Sequence, residues 1–384
     1  MYSYKDLFDI RSNVGAKLTE YIKAKEITKS KLCQDAGISR PTLDKILNGT
    51  IGSMVNYERH IEKIFDSLNI TPDILFGKTT IKRNNIRALR KLQNEKIDYI
   101  AECTGISENR LRAIEAGEEP TLAELRDLAA LLNTNTLFLT GENVFDAQVS
   151  LLNYFFEHED SDDLGYNSGF WGHVGILPVG SKLYHWFPIT GNVRNQIYDD
   201  IDSLEYLIIP CMNNKLLFLN MANIKQIRLL DEACDEPVDA NWDSDVDFGE
   251  IPPVIYEALE DYDRSDDDSN IDDTMSPKFR ELIKRFLEMK KWDEDDIWDL
   301  WKLVLHYRDG EESHFDIDLD RSYSLLTDID IIYSFKEDEC IDHWFWIENM
   351  ESEEICINID QIAMMELPLV QVERAICKMR KEEE

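Results

Sequence analysis

The chain has 384 residues, of which 43% are hydrophobic, and this is enough to bury the cores of two to four domains. It contains no apolar run of the roughly 18 to 20 residues that a membrane helix needs, and its start lacks a secretion signal. The seven cysteines include no Cys-x-x-Cys pair and the seven histidines no His-x-x-x-His pair, so we expect no disulfide, metal or cofactor. The composition therefore predicts a cytoplasmic protein that does not contact a membrane.

The net charge of −36 is distributed very unevenly along the chain. Residues 1–140 hold 21 Lys and Arg against 19 Asp and Glu, so residues 141–384 hold 20 against 58 and carry a net charge of −38. Salt limits the reach of an exposed charge to about 10 Å at 0.1 M, so a basic face in the first third can still bind phosphate. The acidic remainder is expected to disfavour non-specific contact with nucleic acid, which leaves a larger share of the affinity to sequence.

A motif of two short helices joined by a tight turn is predicted from Thr28 to Gly49. Thr28 and Ser39 are placed to cap the two helices through their hydroxyls. Gly37 supplies the left-handed turn that residues with a Cβ adopt only at a cost. Apolar residues at helical spacing face inward. Four residues of the second helix are left facing outward: Arg40, Pro41, Asp44 and Lys45.

A second copy of this motif follows 68 positions later, from Ile97 to Gly117. The triplet at 37–39, Gly-Ile-Ser, recurs at 105–107, and residues 82–140 repeat the helical apolar spacing of residues 14–76. The duplication predicts two small all-α domains in tandem.

The segment from Val14 to Phe76 resembles the Cro/CI-type (XRE family) repressor domain, a lambda-repressor-like five-helix bundle that reads the major groove of DNA. The resemblance covers roughly 65 residues, and about 125 with the second copy. It implies that double-stranded DNA is the partner and that a homodimer binds a near-palindromic site. It also implies base contacts at the first two positions of the second helix and one turn further on, which here are Arg40, Pro41 and Lys45.

The residue types at these positions suit base reading. Arg40 can form a bidentate pair with guanine, worth about 1 to 3 kcal/mol of discrimination, and Lys45 can make a related contact. Pro41 departs from the polar residue usual in the family, and we expect only van der Waals contact from it. Five residues around the motif are predicted to contact phosphates and fix the register: Thr28, Lys29, Lys31, Asn48 and Thr50.

The second copy has a different set of residues at the same positions, namely Glu108, Asn109 and Ala113. A carboxylate there would face phosphates, although Glu can accept a hydrogen bond from cytosine. Its basic residues lie on the preceding helix and beside the motif: Lys82, Arg83, Arg87, Arg90, Lys91, Arg110 and Arg112. The pattern favours a docking or dimerising module, or one that holds phosphate, and leaves base reading as the alternative.

From about residue 145 the sequence changes to short runs of aromatic and β-branched residues typical of strands. Residues 204–230 align without gaps onto residues 342–368, at an offset of 138. Each copy is predicted to form a strand, a polar turn, a strand, Asn-x-x-x-Ile and a last strand, which weakly resembles SH3-like or Sm-like barrels. Between the copies, residues 235–275 hold 16 Asp and Glu and a single basic residue, Arg264, and this composition is typical of a solvated linker. A helical hairpin is predicted after it.

The predicted fold is therefore α+β and multidomain, with two helix-turn-helix domains followed by an acidic β-rich region. The predicted boundaries are a first helix-turn-helix domain at 1–78, a second at 79–143, a β-rich module at 144–234, an acidic linker at 235–275, and a helical hairpin with a second β-rich module at 276–384.

The predicted function is that of a sequence-specific DNA-binding transcriptional regulator, more specifically a repressor, without enzymatic activity. The chain contains no Walker loop, no Gly-x-Ser-x-Gly elbow and no Gly-x-Gly-x-x-Gly after a strand, and a nuclease-like cluster among its many carboxylates is the main enzymatic alternative. The alternative is a protein-interaction adaptor, antitoxin-like or defence-associated, whose acidic half binds a partner or mimics nucleic acid. Four tryptophans are candidates for a protein-binding surface in that half, although aromatic residues at strand spacing are more often core: Trp171, Trp186, Trp344 and Trp346.

Overall fold

The computed structural model describes residues 7–76 except 9, 26 and 69, then 84–145, 170–231, 237, 242, 247–263, and 274–383 except 339, 340 and 342. Contacts divide the chain into two units, Met1–Thr121 and Leu122–Glu384, and each is described by itself below. None of the described helices is long and apolar enough to cross a membrane.

In the part of the first unit that the structure describes, five helices follow one another from Arg11 to Leu75, in line with the predicted all-α domain. They are α1 (Arg11–Ala24), α2 (Lys29–Ala36), α3 (Arg40–Leu47), α4 (Met54–Leu68) and α5 (Pro72–Leu75). Their inward faces share one core, which includes Leu18, Leu32, Leu43, Ile46, Tyr57 and Ile61. Each apolar stripe is therefore buried against its neighbours, which is what stabilises helices as short as α2 and α3.

Three more helices complete the first unit: α6 (Ile86–Leu92), α7 (Ile97–Thr104) and α8 (Glu108–Glu115). Gly105 between α7 and α8 is left-handed, with φ of 79°, and Ser107 caps α8 by accepting from the amide of Arg110. Ala116, just after α8, packs into the core formed by α1 to α5. The two motifs seen in the sequence therefore lie in a single unit.

The second unit begins earlier than the predicted boundary at residue 143. Its first helices are α9 (Leu122–Leu131) and α10 (Thr136–Thr140). Arg126 is almost fully buried and donates to Asp261 Oδ2 at 2.6 Å, and Asn135 donates to Glu373 at 2.6 Å. These long-range bonds tie α9 and α10 to the second unit, whereas the sequence pattern assigned them to a domain with α6 to α8.

In the structure each repeat extends beyond the aligned segment. The first repeat, around residues 204–230, consists of β1 (Phe170–Pro178), β2 (His185–Thr190), α11 (Gly191–Asp200), β3 (Tyr206–Pro210), β4 (Lys215–Asn220), a 3₁₀ turn (Met221–Asn223) and β5 (Ile224–Asp231). Then come α12 (Pro253–Asp263), α13 (Pro277–Lys290) and α14 (Glu294–Asp299). The second repeat has the same order: β6 (Leu303–Tyr307), β7 (Glu312–Phe315), α15 (Tyr323–Asp330), β8 (Trp344–Glu348), β9 (Glu354–Asn358), a 3₁₀ turn (Ile359–Gln361) and β10 (Ile362–Pro368). Helix α16 (Leu369–Glu383) follows.

The structure repeats the aligned segments residue by residue. In the hairpin β3–β4, Tyr206 pairs with Asn220, and in β8–β9 the equivalent Trp344 pairs with Asn358. Each asparagine then caps its 3₁₀ turn by accepting a backbone amide two residues on, because a short amide side chain can satisfy that donor. The internal repeat predicted from the sequence is therefore also a structural repeat.

The strands form three sheets among the described residues, with orders β2-β1-β5, β3-β4-β10-β6-β7 and β8-β9. The five-stranded sheet joins the repeats, because β4 of the first pairs in antiparallel register with β10 of the second. Two cores lie against these sheets: one is centred on Val174, Ile189, Leu207 and Leu217, and the other on Phe218, Leu305, Phe345 and Met365. The second unit is thus β-rich, while closed SH3-like or Sm-like barrels stay a prediction.

Helix α12 lies within residues 235–275, which the charge pattern predicted to be a solvated linker. Its apolar residues are buried, including Val254, Ile255, Ala258 and Leu259. Tyr256 and Glu257, which lie between them, are buried as well, so the whole stretch from Ile251 to Leu259 is enclosed in the second unit in spite of the acidic composition around it. The linker prediction is therefore wrong for Pro253–Asp263, and residues 235–236, 238–241, 243–246 and 264–273 of the predicted linker lie outside the described residues.

Candidate nucleic-acid interface

Local hydrogen bonds set the angle between α2 and α3. Thr28 caps α2 by accepting from the amide of Lys31 at 3.2 Å, and Ser39 caps α3 by accepting from the amide of Thr42 at 3.3 Å. Gly37 between them has φ of 61°, the left-handed conformation that closes a helix. These are the caps and turn that the sequence predicts.

The end of α3 is closed by a second left-handed glycine. Gly49 has φ of 62°, and the amide of Thr50 donates to the carbonyl of Lys45 at 2.8 Å. The amide of Gly49 donates to Ile46 at 3.0 Å, so the pair has the hydrogen bonds of a Schellman cap. Both ends of α3 are therefore fixed by backbone geometry.

Helix α3 has one buried and one exposed face. Leu43, Ile46 and Leu47 are buried, whereas Arg40 and Lys45 are exposed, as are Pro41, Asn48 and Thr50. The structure thus brings the predicted base-contacting side chains together on one accessible surface, which we call the α3 face: Arg40, Pro41, Asp44 and Lys45.

Two residues of α2 contact the α3 face. Lys29 donates to Asp44 Oδ1 at 2.7 Å, and Arg40 donates to Ser30 Oγ at 3.1 Å. The hydrogen bond from Lys29 lowers the pKa of Asp44, so this carboxylate is ionised at neutral pH. Both partners are about 40% exposed, so the pair contributes little to stability and Lys29 can exchange it for a phosphate.

The other predicted phosphate contacts lie at the ends of the motif. Lys31 is exposed on α2, and within the described part of the chain neither it nor Lys45 makes an ion pair. Thr28 is exposed, and its hydroxyl accepts the capping bond, so the hydroxyl proton is available to donate. Their arrangement provides exposed donors beside the α3 face.

Helix α8 presents a different surface at the matching positions. Ala113, which corresponds to Lys45, is 1% exposed. Arg112 lies within 4 Å of carboxylates of Glu62, Asp66 and Glu108. The basic residues beside α8 are thus engaged with the protein's own carboxylates rather than directed outward.

Two further arginines near α8 are held in the same way. Arg90 forms a bidentate pair with Glu115, a carboxylate that is 6% exposed, and Arg110 lies 3.4 Å from Glu118. Lys82 and Arg83 lie outside the described residues. Of the two motifs, only α2–α3 combines exposed cations with an accessible helix face among the residues described.

A capped helix pair with a left-handed glycine at the turn and a cationic outer face defines a helix-turn-helix DNA-binding domain. Residues 17–77 match the family of Cro/C1-type HTH DNA-binding domains. The match covers the second half of α1 and all of α2 to α5, and it does not include the second motif. No curated protein and no solved structure matches the chain. One Cro/C1-type domain is therefore present, and it supports assignment of the chain as a DNA-binding transcription regulator.

The second unit brings together a group that the sequence did not reveal. Ligand-type atoms of His185, His306 and Glu366 all lie within 4.8 Å of one another, on strands β2, β6 and β10. No short spacing in the sequence connects these residues, so only the pairing of the strands could have indicated the cluster. Ser30 was missed for the same reason, because its contact with Arg40 crosses from one helix to the next.

Proposed function

We propose that this protein is a sequence-specific transcriptional repressor that reads the DNA major groove with α3. The observation that supports this most is the α3 face: Arg40 and Lys45 project from a helix whose other side is buried and whose two ends are fixed. A rigid helix carrying exposed cations is what base reading requires, since misplacement by an ångström breaks a bidentate hydrogen bond.

Each residue has a proposed role in the complex. Arg40 donates to a guanine, which requires it to exchange its bond with Ser30 for the base edge. Lys45 contacts a second base one turn further along, and Pro41 packs against a base or sugar. The predicted phosphate contacts remain Thr28, Lys29, Lys31, Asn48 and Thr50. We expect two copies of the chain to bind two half-sites about 34 Å apart.

The second motif is proposed to have a supporting role rather than to read bases. Its helices have the same turn glycine and serine cap, but Ala113 is buried and Arg90 and Arg112 are paired with carboxylates. Because these cations are paired with carboxylates, they are not available to bind phosphate. We therefore propose that α7–α8 supports the first motif structurally or docks a protein.

A matched pair of variants tests the proposal. Arg40→Ala with Lys45→Ala should reduce affinity for the selected operator at least about thirtyfold, because two base contacts worth about 1 to 3 kcal/mol each are lost. The matched control, Glu108→Ala with Asn109→Ala on α8, should leave operator binding within about threefold. Fluorescence anisotropy with operator and scrambled duplexes measures both, and far-UV circular dichroism verifies that the variants fold.

The same experiment separates the regulator from an adaptor that binds only protein. An adaptor would show no operator preference in the wild-type chain, and its partner binding would be indifferent to the substitutions on α3. Equal losses from the α3 and α8 variants would instead show that both helices contact DNA.

A further inference from the structure

We infer that the second unit assembles head to tail with other copies of this chain, strand β9 of one copy pairing with strand β5 of the next. The argument comes from the internal repeat. In the first repeat the strand β4 is covered along its edge by β10 of the second repeat. The strands that correspond to these two, β9 and β5, are available for the same pairing.

Both strands have an open edge among the described residues. Strand β5 hydrogen-bonds to β1, and β9 hydrogen-bonds to β8, whereas β4 and β10 each have a strand on both sides. An open edge presents a row of backbone amides and carbonyls that readily accept another strand. Among the described residues β5 and β9 of one chain do not pair with each other, so the inference assigns the partner of each edge to another copy.

The exposure of the two hairpins points to the same surface. In β3–β4, Tyr206 and Ile208 are 9% and 1% exposed and belong to a core shared with residues of the second repeat such as Phe345. The corresponding Trp344 and Trp346 of β8–β9 are 47% and 52% exposed. The outer face of the hairpin β3–β4 is thus covered by the second repeat, whereas the equivalent face of the hairpin β8–β9 is exposed and carries two tryptophans.

The surface beside β5 is suited to cover those tryptophans. Ile224, Ile227 and Leu229 are only partly buried and pack at the margin of the first repeat's core. Joining β9 to β5 would add the hairpin β8–β9 to the sheet β2-β1-β5 and make it a five-stranded sheet like β3-β4-β10-β6-β7. Apolar side chains on both partners would then leave water.

The repeat also predicts the register of the new pair. In the existing sheet Phe218 lies opposite Met365. The residue equivalent to Phe218 in the second repeat is Cys356, 138 positions later, and the residue equivalent to Met365 in the first repeat is Ile227, 138 positions earlier. We therefore expect Cys356 of one copy to lie opposite Ile227 of the next. Directly opposite side chains in antiparallel strands have Cβ atoms about 4.5 to 5.5 Å apart, and a disulfide needs about 3.5 to 4.5 Å, so a small backbone movement brings two opposite thiols within reach of each other.

Such an interface is heterologous, because each copy donates one edge and accepts another. Heterologous contacts propagate until they close into a ring, and a ring of two is the smallest. The assembly test needs no DNA, so it is independent of the proposed repressor function.

Site-directed crosslinking of the full chain tests the register. Ile227→Cys should form a covalent dimer or larger oligomer with Cys356 of another copy under mild oxidation with copper phenanthroline. Arg228→Cys is the matched control, because a shift of one residue places the thiol on the other face of the strand. Adding Cys356→Ser to Ile227→Cys should abolish the crosslink. Equal crosslinking by the Arg228 variant, or none by the Ile227 variant, would overturn the register.

Native mass spectrometry tests the assembly itself. The wild-type chain should appear at multiples of the monomer mass, whereas Trp346→Glu should be monomeric, since the pairing would bury its carboxylate against an apolar surface. Circular dichroism distinguishes loss of assembly from loss of folding. A wild-type chain that is monomeric at all concentrations would overturn the inference.

A separate observation carries a second proposal, that His185, His306 and Glu366 bind a divalent cation of the zinc class. Two imidazoles and one carboxylate are a usual donor set for zinc, and here all three donors lie within 4.8 Å. His306 Nε2 lies 2.8 Å from Glu366 Oε1, and the ring of His185 lies 4.5 Å from that of His306.

The surroundings of these three residues support a metal site. His306 Nδ1 lies 3.4 Å from Glu312 Oε2, and ligating histidines usually donate their second ring N–H to a carboxylate. Lys215 lies 3.4 Å from the other oxygen of Glu366, which leaves Oε1 directed at the histidines.

Calorimetric titration of the full chain with Zn²⁺ tests this site, and the visible absorption of Co²⁺ reports its coordination geometry. We expect one ion per chain, and at least tenfold weaker binding in His185→Asn. The control is His343→Asn, an exposed histidine on the edge of β8, which should bind like the wild type. Absence of stoichiometric binding, or unchanged affinity in His185→Asn, would overturn the proposal.

Discussion

The contact between α1 and α3 depends on a glycine, and replacing it offers a specific test of how the α3 face is held. A Cβ added at Gly15 would lie 2.3 Å from the carbonyl oxygen of Leu47 and 2.7 Å from that of Ile46. Ordinary van der Waals contact begins near 3.4 Å. Because the obstructing atoms are backbone, α1 would have to withdraw from the end of α3 by about 1 Å.

The expected effect of Gly15→Ala is the difference between two opposing terms. Alanine favours a helix over glycine by about 1 kcal/mol, whereas overpacking against a fixed backbone costs about 3 kcal/mol. We therefore expect the first unit to lose about 2 kcal/mol of unfolding free energy, and operator affinity to fall as α3 shifts. Gly52→Ala is the control, since its Cβ would meet no atom within 4 Å.

Two optical probes separate the units in a urea titration. All eight tryptophans follow residue 170, so their fluorescence reports on the second unit, whereas far-UV circular dichroism reports on both. Gly15→Ala should shift the helical transition of the first unit to lower urea and leave the fluorescence transition unchanged. An equally or more stable first unit with unchanged operator binding would refute the close approach of α1 to α3.

Three further substitutions test other features of the structure. Lys31→Ala should weaken binding to all duplexes alike and reduce the magnitude of the slope of log K against log salt concentration by about 0.9. Fluorescence anisotropy at several salt concentrations measures this slope, and an unchanged slope would exclude a phosphate contact. Arg90→Met should destabilise the first unit by about 3 kcal/mol or more, because Glu115 would be buried without a partner, and a double-mutant cycle with Glu115→Leu should recover much of the loss. Burial raises the pKa of Glu373 to about 7 from its ordinary value of 4.5, so the folded state binds this proton more tightly and the stability of the second unit falls as pH rises through that range. Tryptophan fluorescence should show a lower urea midpoint for the wild type at about pH 8 than at about pH 5, and this difference should be smaller in Glu373→Gln. An equal difference in the variant would show that Glu373 does not cause the pH dependence.

The helix-turn-helix motif could be predicted because its signals are local. Thr28, Gly37 and Ser39 act on neighbours within three or four residues, so their spacing alone locates the two helices. The sequence repeat in the second unit was equally visible, because equivalent residues such as Asn220 and Asn358 make the same local hydrogen bond, each accepting the backbone amide two residues on.

Features that depend on long-range contacts could not be predicted in this way. Arg126 looks like a surface residue of a helix, yet it is buried through its bond to Asp261, 135 residues away. The helix Pro253–Asp263 was hidden by the acidic composition around it, although its residues from Pro253 to Leu259 are all buried, Glu257 included. Likewise, His185 and His306 meet only because two strands of different repeats are brought together.

Selection of bound duplexes from a random-sequence library tests the central claim most directly. The purified full chain should enrich one motif at about 150 mM salt, where non-specific phosphate contact is weak. The same selection with Arg40→Ala should recover a motif that has lost its preference for guanine at one position per half-site, while the Glu108→Ala control recovers the wild-type motif. If the wild-type chain enriches no motif, or if Arg40→Ala enriches the same motif as the wild type, α3 does not read DNA in this protein.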